Sequence, residues 1–447
     1  MTSVQQFYKG STILISGATG FLGHILLEKT LRTLQPRKVY LLIRKKKGLD
    51  AQQRLREMMR GVVFDRVRSL SSVAKVEAVE VDSSRPDLAL DAETRRQLEE
   101  EVEIVFQLAA SVSFNESLET ALRENVQNNL HLYELVKSME NLQAAMQVST
   151  IYSNCDLKTI GEKVYNGVGF GGYNSILKLL RGLDDKEKEV LTPFILKGLP
   201  NTYTFAKKCI ESQIEQEFSH LPFGIFRPPG ITTTYREPLV GWINNLYGAG
   251  GYVLPLIFGL YSAFYVDNAT VLMLAPVDYC ANALLLSASD VARNFNNRGS
   301  DIPVYNYTGN YCPNAGDMYK YLTEGLPVPQ RYIYRHFMHT RTSNETRYRF
   351  AMQLMRVHAS ALDQIRIMTG QRPGIRKAID RALQMTNKSR PLTVTKWDIE
   401  NANIRRIQQN LDPKERKMFN CDLGSVDWRQ HFAGFIPGIK KYVLKMA

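Results

Sequence analysis

The sequence of 447 residues predicts an α/β protein with a parallel central sheet covered by helices on both faces, followed by a small helical domain. Three observations predict it. Strand-like and helix-like segments alternate through the first third of the chain, which is typical of parallel strands joined by helical crossovers. The strand at 39–43 is apolar without interruption, as in a sheet buried on both faces. From about residue 331 the pattern becomes helical and basic.

The elements follow one another in the order of a doubly wound, Rossmann-type sheet. We predict strands at 12–16, 38–43, 76–81, 104–108, 144–149, 223–227 and 302–307, and helices at 21–34, 118–138 and 203–217. The mixed segment at about 154–200 interrupts the alternation, and we interpret it as an insertion that carries substrate contacts.

The same patterns predict a division of the chain into units. We assign 10–290 to the Rossmann-type domain with its insertion, 291–340 to a connecting segment, and 341–447 to a helical domain. In that last unit the helical spacing predicts one shared face, formed by Ala351, Leu354, Met355, His358, Leu362 and Ile365.

Composition narrows the class of protein. Hydrophobic residues make up 44% of the chain and charged residues 23%, which are ordinary globular values. The five cysteines have no metal-type spacing, so we expect reduced thiols and no metal. We expect neither a signal peptide nor a simple membrane span, because no apolar run is long enough.

Most of the net charge of +13 lies in one stretch. Between Arg331 and Arg390 thirteen lysines and arginines face only three acidic residues, which leaves +10. Such a segment predicts a solvated basic face or an acidic partner, namely a phosphorylated substrate, an anionic membrane or nucleic acid.

A glycine-rich turn joins the first predicted strand to the first helix. Its cofactor-binding residues are Gly17, Thr19, Gly20, Phe21, Leu22 and Gly23. Glycines allow a tight turn and a close backbone approach to a pyrophosphate, while the free N–H groups of the helix start face the anion. The turn therefore predicts a dinucleotide site.

Residues at the ends of the neighbouring strands indicate which dinucleotide is bound. Four cations, Arg44 and Lys45 to Lys47, follow the second strand where an acid would select NAD, so we predict NADPH with Arg44 near its 2′-phosphate. Asp82 is placed to contact adenine or to cap a turn. The small Ala109 lets the cofactor lie close to the backbone.

Tyr203 and Lys207 form a YxxxK pair on one face of a predicted helix. A nearby ammonium lowers the pKa of a phenol, so we predict Tyr203 as a general acid. Thr150 is our first choice for the donor to the substrate oxygen and Ser149 the second, because alternation lets only one face the site. Asn125 is predicted to orient water or the lysine. Together these residues predict a short-chain-dehydrogenase-type oxidoreductase.

The chain resembles the fatty acyl-CoA reductase family, especially its insect members, over nearly its whole length. The resemblance rests on the glycine turn and on motifs in sequential order. They are Val148-Ser149-Thr150, Pro200-Asn201-Thr202-Tyr203-Thr204-Phe205, Arg227-Pro228, Gly241-Trp242-Ile243-Asn244-Asn245, Pro276-Val277-Asp278 and Met418-Phe419-Asn420-Cys421-Asp422.

The resemblance implies reduction of a long-chain acyl-CoA to a primary alcohol with two NADPH, by way of a bound or released aldehyde. It implies that Tyr203 protonates the alkoxide, that Lys207 holds the nicotinamide ribose, and that Thr150 or Ser149 binds the oxygen. The phosphates of CoA then give the basic segment a role. We expect no nucleic-acid partner, and membrane contact only at the surface. The expected setting is intracellular, at the endoplasmic reticulum or the peroxisome, with the cytosol as the alternative.

Two other functions stay open at this point. One is an NADP-dependent dehydrogenase of a sterol, sugar or aldehyde, with the same fold. The other is a non-catalytic protein that binds NADPH or lipid, because Gln107 and Asn115 differ from the usual residues of the family.

Overall fold

A computed structural model describes residues 3–247, 249–309, 311–388 and 390–446. The strands are short, and five of the thirteen in the described ranges are buried over their whole length. In chain order they are β1 Thr12–Ser16, β2 Lys38–Ile43, β3 Val76–Glu80, β4 Ile104–Gln107, β5 Ala144–Val148, β6 Thr159–Ile160, β7 Phe223–Arg227, β8 Gly230–Thr232, β9 Ser262–Tyr265, β10 Leu274–Pro276, β11 Val304–Asn306, β12 His339–Thr342 and β13 Asp398–Ile399.

The helices are most frequent in the C-terminal half. They are α1 Val4–Tyr8, α2 Phe21–Thr33, α3 Ala51–Met59, α4 Ala92–Glu101, α5 Leu118–Leu122, α6 Asn128–Lys137, α7 Tyr173–Arg181, α8 Asp185–Leu196, α9 Thr202–Glu217, α10 Ala249–Tyr252, α11 Leu254–Ile257, α12 Val277–Asn294, α13 Ala315–Glu324, α14 Val328–His336, α15 Glu345–Met368, α16 Ile375–Lys388, α17 Pro391–Val394, α18 Ala402–Gln409, α19 Pro413–Met418, α20 Trp428–Ala433 and α21 Phe435–Gly438.

A parallel sheet of seven strands in the order β11-β7-β5-β4-β1-β2-β3 confirms the predicted fold class. The chain runs from β1 outward to β3 and then returns to β4 on the other side of β1. Ser16 at the end of β1 is in register with Gln107 at the end of β4. Ligands of open parallel sheets bind beyond the carboxyl ends of the strands at such a reversal, so this edge positions the site.

Two hydrophobic clusters cover the two faces of the sheet. One contains Ile13 and Ile15 of β1 and extends to the C-terminal residues Phe432 and Ile439. The other contains Leu14 of β1 together with residues of α6 and α9. Alternate side chains of β1 thus point to opposite faces, both of which are buried.

The predicted helix at 118–138 is interrupted in the structure. A π-helical turn at Arg123–Gln127 separates α5 from α6. Within it Asn125 accepts a hydrogen bond from the N–H of Ser111 at 2.8 Å and donates one to the carbonyl oxygen of Ser111 at 3.1 Å. Asn125 thus holds the segment after β4, and its contact with water or the lysine stays a prediction.

The six residues predicted to share a face of the C-terminal helix all lie on α15, but only part of that face is buried. On α15, Ala351 and Met355 are buried, whereas Leu354 and Ile365 are 40% and 55% exposed. The buried side contacts β9 and β12, and the opposite side is apolar as well. An apolar spacing alone cannot tell these two sides apart.

None of the helices in the described ranges is long and apolar enough to cross a membrane. All five cysteines are free thiols.

Candidate active site

The glycine turn lies directly beyond β1. Gly17 has φ +85°, and a Cβ there would come within 2.5 Å of the backbone nitrogen of Ala109. A Cβ on Gly23 would collide with the carbonyl oxygen of Gly17. Helix α2 begins after Gly20 without a side-chain cap, so its first N–H groups are left for another acceptor. The turn therefore packs against the end of β4 and presents uncapped backbone donors, as an anionic ligand requires.

A second arginine, which the sequence interpretation missed, joins the predicted cations. Arg54 on α3 donates to the hydroxyl of Thr19 at 3.2 Å and to the carbonyl oxygen of Arg44. Arg44 is mostly exposed and pairs with Glu124 at 3.3 Å. Arg54 has no acidic partner within salt-bridge distance among the described residues. The sequence feature that could have indicated Arg54 is the capping box of Asp50 at the start of α3. It places Arg54 one turn into the helix.

Asp82 and Ala109 both line the cavity at this edge. Asp82 is exposed and accepts hydrogen bonds from the hydroxyl and the N–H of Ser84 at 2.6 and 3.0 Å. The hydroxyl bond is the main reason that the pKa of Asp82 lies below its usual range. Its carboxylate thus stays ionised at the cavity rim, in the position predicted for an adenine contact.

Tyr203 and Lys207 lie on α9, whose start is fixed by Asn201 accepting a hydrogen bond from the N–H of Thr204 at 2.9 Å. The ammonium of Lys207 donates to the carbonyl oxygen of Val148 at 2.7 Å and lies 5.9 Å from the centre of the Tyr203 ring. Burial lowers the pKa of Lys207 to about 8, although the Glu211 carboxylate acts in the opposite direction.

The expected lowering of the Tyr203 pKa is not found. Burial raises that pKa above its ordinary value. The ammonium of Lys207 is directed to the end of β5 instead of the phenol oxygen, and the Tyr203 ring packs beside Phe114 at 5.7 Å between centroids. The phenol is therefore held in its protonated form, which is the form that donates a proton.

The structure separates the two candidate hydroxyls after β5. Both residues line the cavity, but the Ser149 hydroxyl donates to the carboxylate of Glu211. The Thr150 hydroxyl lines the cavity and accepts a hydrogen bond from the N–H of Tyr152 at 3.3 Å. Thr150 keeps its own proton for a ligand, whereas Ser149 uses its proton inside the protein.

A buried ion pair supports this part of the site. Glu211, one turn after Lys207, accepts two hydrogen bonds from Arg227 at 2.6 and 2.9 Å, and both side chains are almost fully buried. Arg227 also donates to the carbonyl oxygens of Gly161 and Lys163 at 3.2 and 3.0 Å. The pair, which the sequence interpretation did not identify, links α9 and β7 to the segment after β6. In the sequence, the position of Glu211 four residues after Lys207 could have indicated the pair.

One cavity of about 1940 Å³ is lined by the glycine turn, the two arginines, Asp82, Ala109, Ser149, Thr150, Tyr203 and Lys207, whereas Glu211 and Arg227 are not part of its lining. It is larger than the roughly 300–1,000 Å³ typical of a pocket for one small ligand. Part of its wall is the glycine turn with Thr150, Tyr203 and Lys207. Another part is apolar and includes Val253, Phe264, Met318, Leu322, Phe432 and Phe435. Its size and mixed lining suit a dinucleotide together with a long apolar ligand.

Comparisons with known proteins agree with this geometry. A family model described as male sterility protein, with a NAD-binding region, matches residues 15–284, and a second male sterility protein model matches residues 354–446. The solved reductase domain of a non-ribosomal peptide synthetase from Mycobacterium tuberculosis has a TM-score of 0.63 at 17% identity, covering 96% of this chain and 92% of that one. At this identity the likeness shows the fold.

Curated relatives match the chain almost from end to end. The fatty acyl-CoA reductase wat of Drosophila melanogaster is 33% identical over 99% of this chain and 86% of its own length. Fatty acyl-CoA reductase 1 of Homo sapiens is 32% identical over 99% of this chain and 87% of its own length. The matches show an oxidoreductase with a nicotinamide cofactor, and the chain belongs to the fatty acyl-CoA reductase family.

Proposed function

We propose that this protein reduces a long-chain fatty acyl-CoA to a primary alcohol, with two NADPH consumed and CoA released. The observation that carries the proposal is the shared cavity, in which Thr150, Tyr203 and Lys207 lie between a dinucleotide turn and an apolar wall. An acyl chain needs such a wall, and a carbonyl to be reduced needs proton donors beside it. Family membership supports the same substrate.

The residues present fit NADPH. Gly17 and Gly23 are needed for the tight turn, since a Cβ at either would collide with neighbouring backbone, and Arg54, which has no acidic partner in the described structure, joins Arg44 beside Thr19. We assign the pyrophosphate to the turn, the 2′-phosphate to Arg44 and Arg54, and the adenine to Asp82. The bound cofactor supplies the hydride.

In the proposed mechanism Thr150 and Tyr203 donate hydrogen bonds to the thioester carbonyl oxygen and stabilise the negative charge that develops there. Hydride addition to the carbonyl carbon and loss of the CoA thiolate give an aldehyde. A second hydride addition gives an alkoxide, which takes the phenol proton of Tyr203. Lys207 would hold the ribose hydroxyls of the cofactor, and its ammonium, 5.9 Å from the centre of the Tyr203 ring, stabilises the resulting tyrosinate. Ser149 has a supporting role through Glu211.

Tyr203→Phe tests the proposal. Loss of a general acid costs about 10²–10⁴-fold in rate, so we expect at least a hundredfold fall in kcat with palmitoyl-CoA and NADPH. The measurement is fatty alcohol formed, quantified by gas chromatography. NADPH affinity should stay within twofold, because Tyr203 contacts only the reactive end of the cofactor.

Tyr311→Phe, an exposed tyrosine outside the cavity, is the control and should behave as wild type. Wild-type protein that forms no alcohol from medium, long or very long acyl-CoA would refute the proposal. Oxidation of a sterol or sugar without CoA dependence would favour a dehydrogenase, and tight NADPH binding without any turnover would favour a binding protein.

We also propose contact with an anionic membrane surface through α15. Its outward side is an apolar stripe of Phe350, Leu354, Val357, Ile365 and Met368, all between 40% and 83% exposed. The stripe lies in the basic segment, with exposed Arg347 beside it and exposed Lys377 and Arg381 on the adjoining α16. An apolar face flanked by cations is typical of a helix that lies on an anionic bilayer. The endoplasmic reticulum and the peroxisome are the membranes that we propose.

A further inference from the structure

Arg341 lines the same cavity from outside the main sheet. It lies on β12, which pairs in parallel with β9 and places Arg341 opposite Phe264. Its guanidinium stacks over the Tyr319 ring, 4.6 Å from the ring centre, and donates to the carbonyl oxygen of Gly316 at 3.3 Å. The side chain is thus held in place by α13 and is half-buried.

The positive charge of Arg341 is not neutralised within the described protein. No carboxylate lies within salt-bridge distance of it in the described ranges, and its Nε is buried without a hydrogen-bond partner. Burial lowers its pKa from the ordinary value, and the only charge effect that opposes this comes from the Tyr319 phenol. A half-buried cation without an acidic partner costs free energy, so an anion supplied by a ligand would relieve that cost.

Other arginines of the basic segment differ in this respect. Arg349 and Arg390 pair with Glu345, and Arg356 and Arg376 pair with Asp380. These four cations each have an acidic partner, although they share two carboxylates between them. Arg341, by contrast, lines the cavity and has no acidic partner in the described structure.

We propose that Arg341 binds a phosphate group of the CoA moiety, an inference that rests on the proposed acyl-CoA substrate. A planar guanidinium with free N–H groups is the side chain best suited to phosphate. The cofactor phosphates have their own donors, since the glycine turn and Arg54 belong to the β1–β2 end of the main sheet. Arg341 belongs to the separate β9–β12 pair, next to Tyr265 and Thr393 of the cavity wall.

Arg341→Gln tests the proposal through substrates that share the acyl chain but differ in phosphate. A charge-assisted hydrogen bond contributes about 1.5–3 kcal/mol, equal to roughly 10- to 100-fold in affinity. We expect KM for palmitoyl-CoA to rise at least tenfold with kcat unchanged. KM for the palmitoyl thioester of N-acetylcysteamine, which has no phosphate, should not change. Arg349→Gln, 73% exposed and paired with Glu345, is the control and should change neither KM.

Two measurements separate this inference from the proposed function. Calorimetric titration of the wild type with CoA, dephospho-CoA and pantetheine needs neither turnover nor a variant, and CoA should bind at least tenfold more tightly than pantetheine. Equal affinities would overturn the role of phosphate. Equal KM increases for both thioesters in Arg341→Gln would show that Arg341 acts on the acyl chain or on folding, and would also overturn it. Wild-type protein that binds CoA more tightly than pantetheine but reduces no acyl-CoA would refute only the proposed function.

Discussion

At the residue scale, the site depends on how burial changes the protonation of single groups. Tyr203 is kept protonated by burial, whereas Lys207 has its pKa lowered to about 8. The YxxxK spacing predicted that the two side chains are neighbours, and they are. It could not predict that the ammonium is directed to the carbonyl oxygen of Val148, because that atom belongs to a strand almost 60 residues earlier in the chain.

The lowered pKa of Lys207 predicts a pH effect on stability. The unfolded chain keeps the Lys207 proton to about pH 10.4, whereas the folded chain releases it near pH 8. The unfolded state therefore binds more protons between these values, and stability rises with pH in this window. We expect Lys207→Met to lose this contribution. Urea unfolding at about pH 8.5 and about pH 10, both inside the window, measures it, and an identical pH dependence in both proteins would contradict the assignment.

At the element scale, the Glu211–Arg227 pair connects α9, β7 and the segment after β6. The seven strands of the main sheet and the helices α2 and α9 were predictable from the sequence because their apolar periodicity is local. The π-turn at Arg123–Gln127 was not, since it accompanies the contact of Asn125 with the backbone of Ser111. The outward stripe of α15 was missed for a related reason, because only the packing against β9 shows which side is buried.

Removing one member of the buried pair should be more damaging than removing both. Arg227→Leu leaves the Glu211 carboxylate without its countercharge, which costs about 3–5 kcal/mol of unfolding free energy. The double variant with Glu211→Leu should regain most of this loss, because neither charge is then buried alone. Urea denaturation followed by circular dichroism measures both. A double variant no more stable than Arg227→Leu would show that the pair is not coupled in this way.

At the scale of the whole molecule, the cavity is lined by parts of the chain that are far apart in sequence. The same cavity is lined by the glycine turn near residue 20 and by Phe432 and Phe435. Phe432 and Phe435 also lie in the hydrophobic cluster that covers one face of the main sheet. The C-terminal helices are therefore part of the substrate cavity as well as part of the core.

The apolar stripe of α15 predicts membrane binding by the whole protein. Burying one valine contributes about 1.5–3 kcal/mol, so Val357→Glu should weaken binding to phosphatidylserine-containing vesicles at least tenfold. Val190→Glu on α8 is a matched control, since the two valines are 67% and 66% exposed. Cosedimentation with vesicles is the measurement. Equal binding to pure phosphatidylcholine, or equal loss in both variants, would contradict a specific contact of α15.

The sequence by itself determined the fold class, the dinucleotide turn and the Tyr203/Lys207 pair, because each depends on residues close together in the chain. Only the tertiary structure decided that the Ser149 hydroxyl donates to Glu211 while Thr150 keeps its proton, that Arg54 joins Arg44, and that Arg341 lies in the cavity wall without an acidic partner in the described structure. The physical reason is the same in each case. The environment of a charge or a hydroxyl is set by distant segments that folding brings together, and their proximity leaves no pattern along the chain.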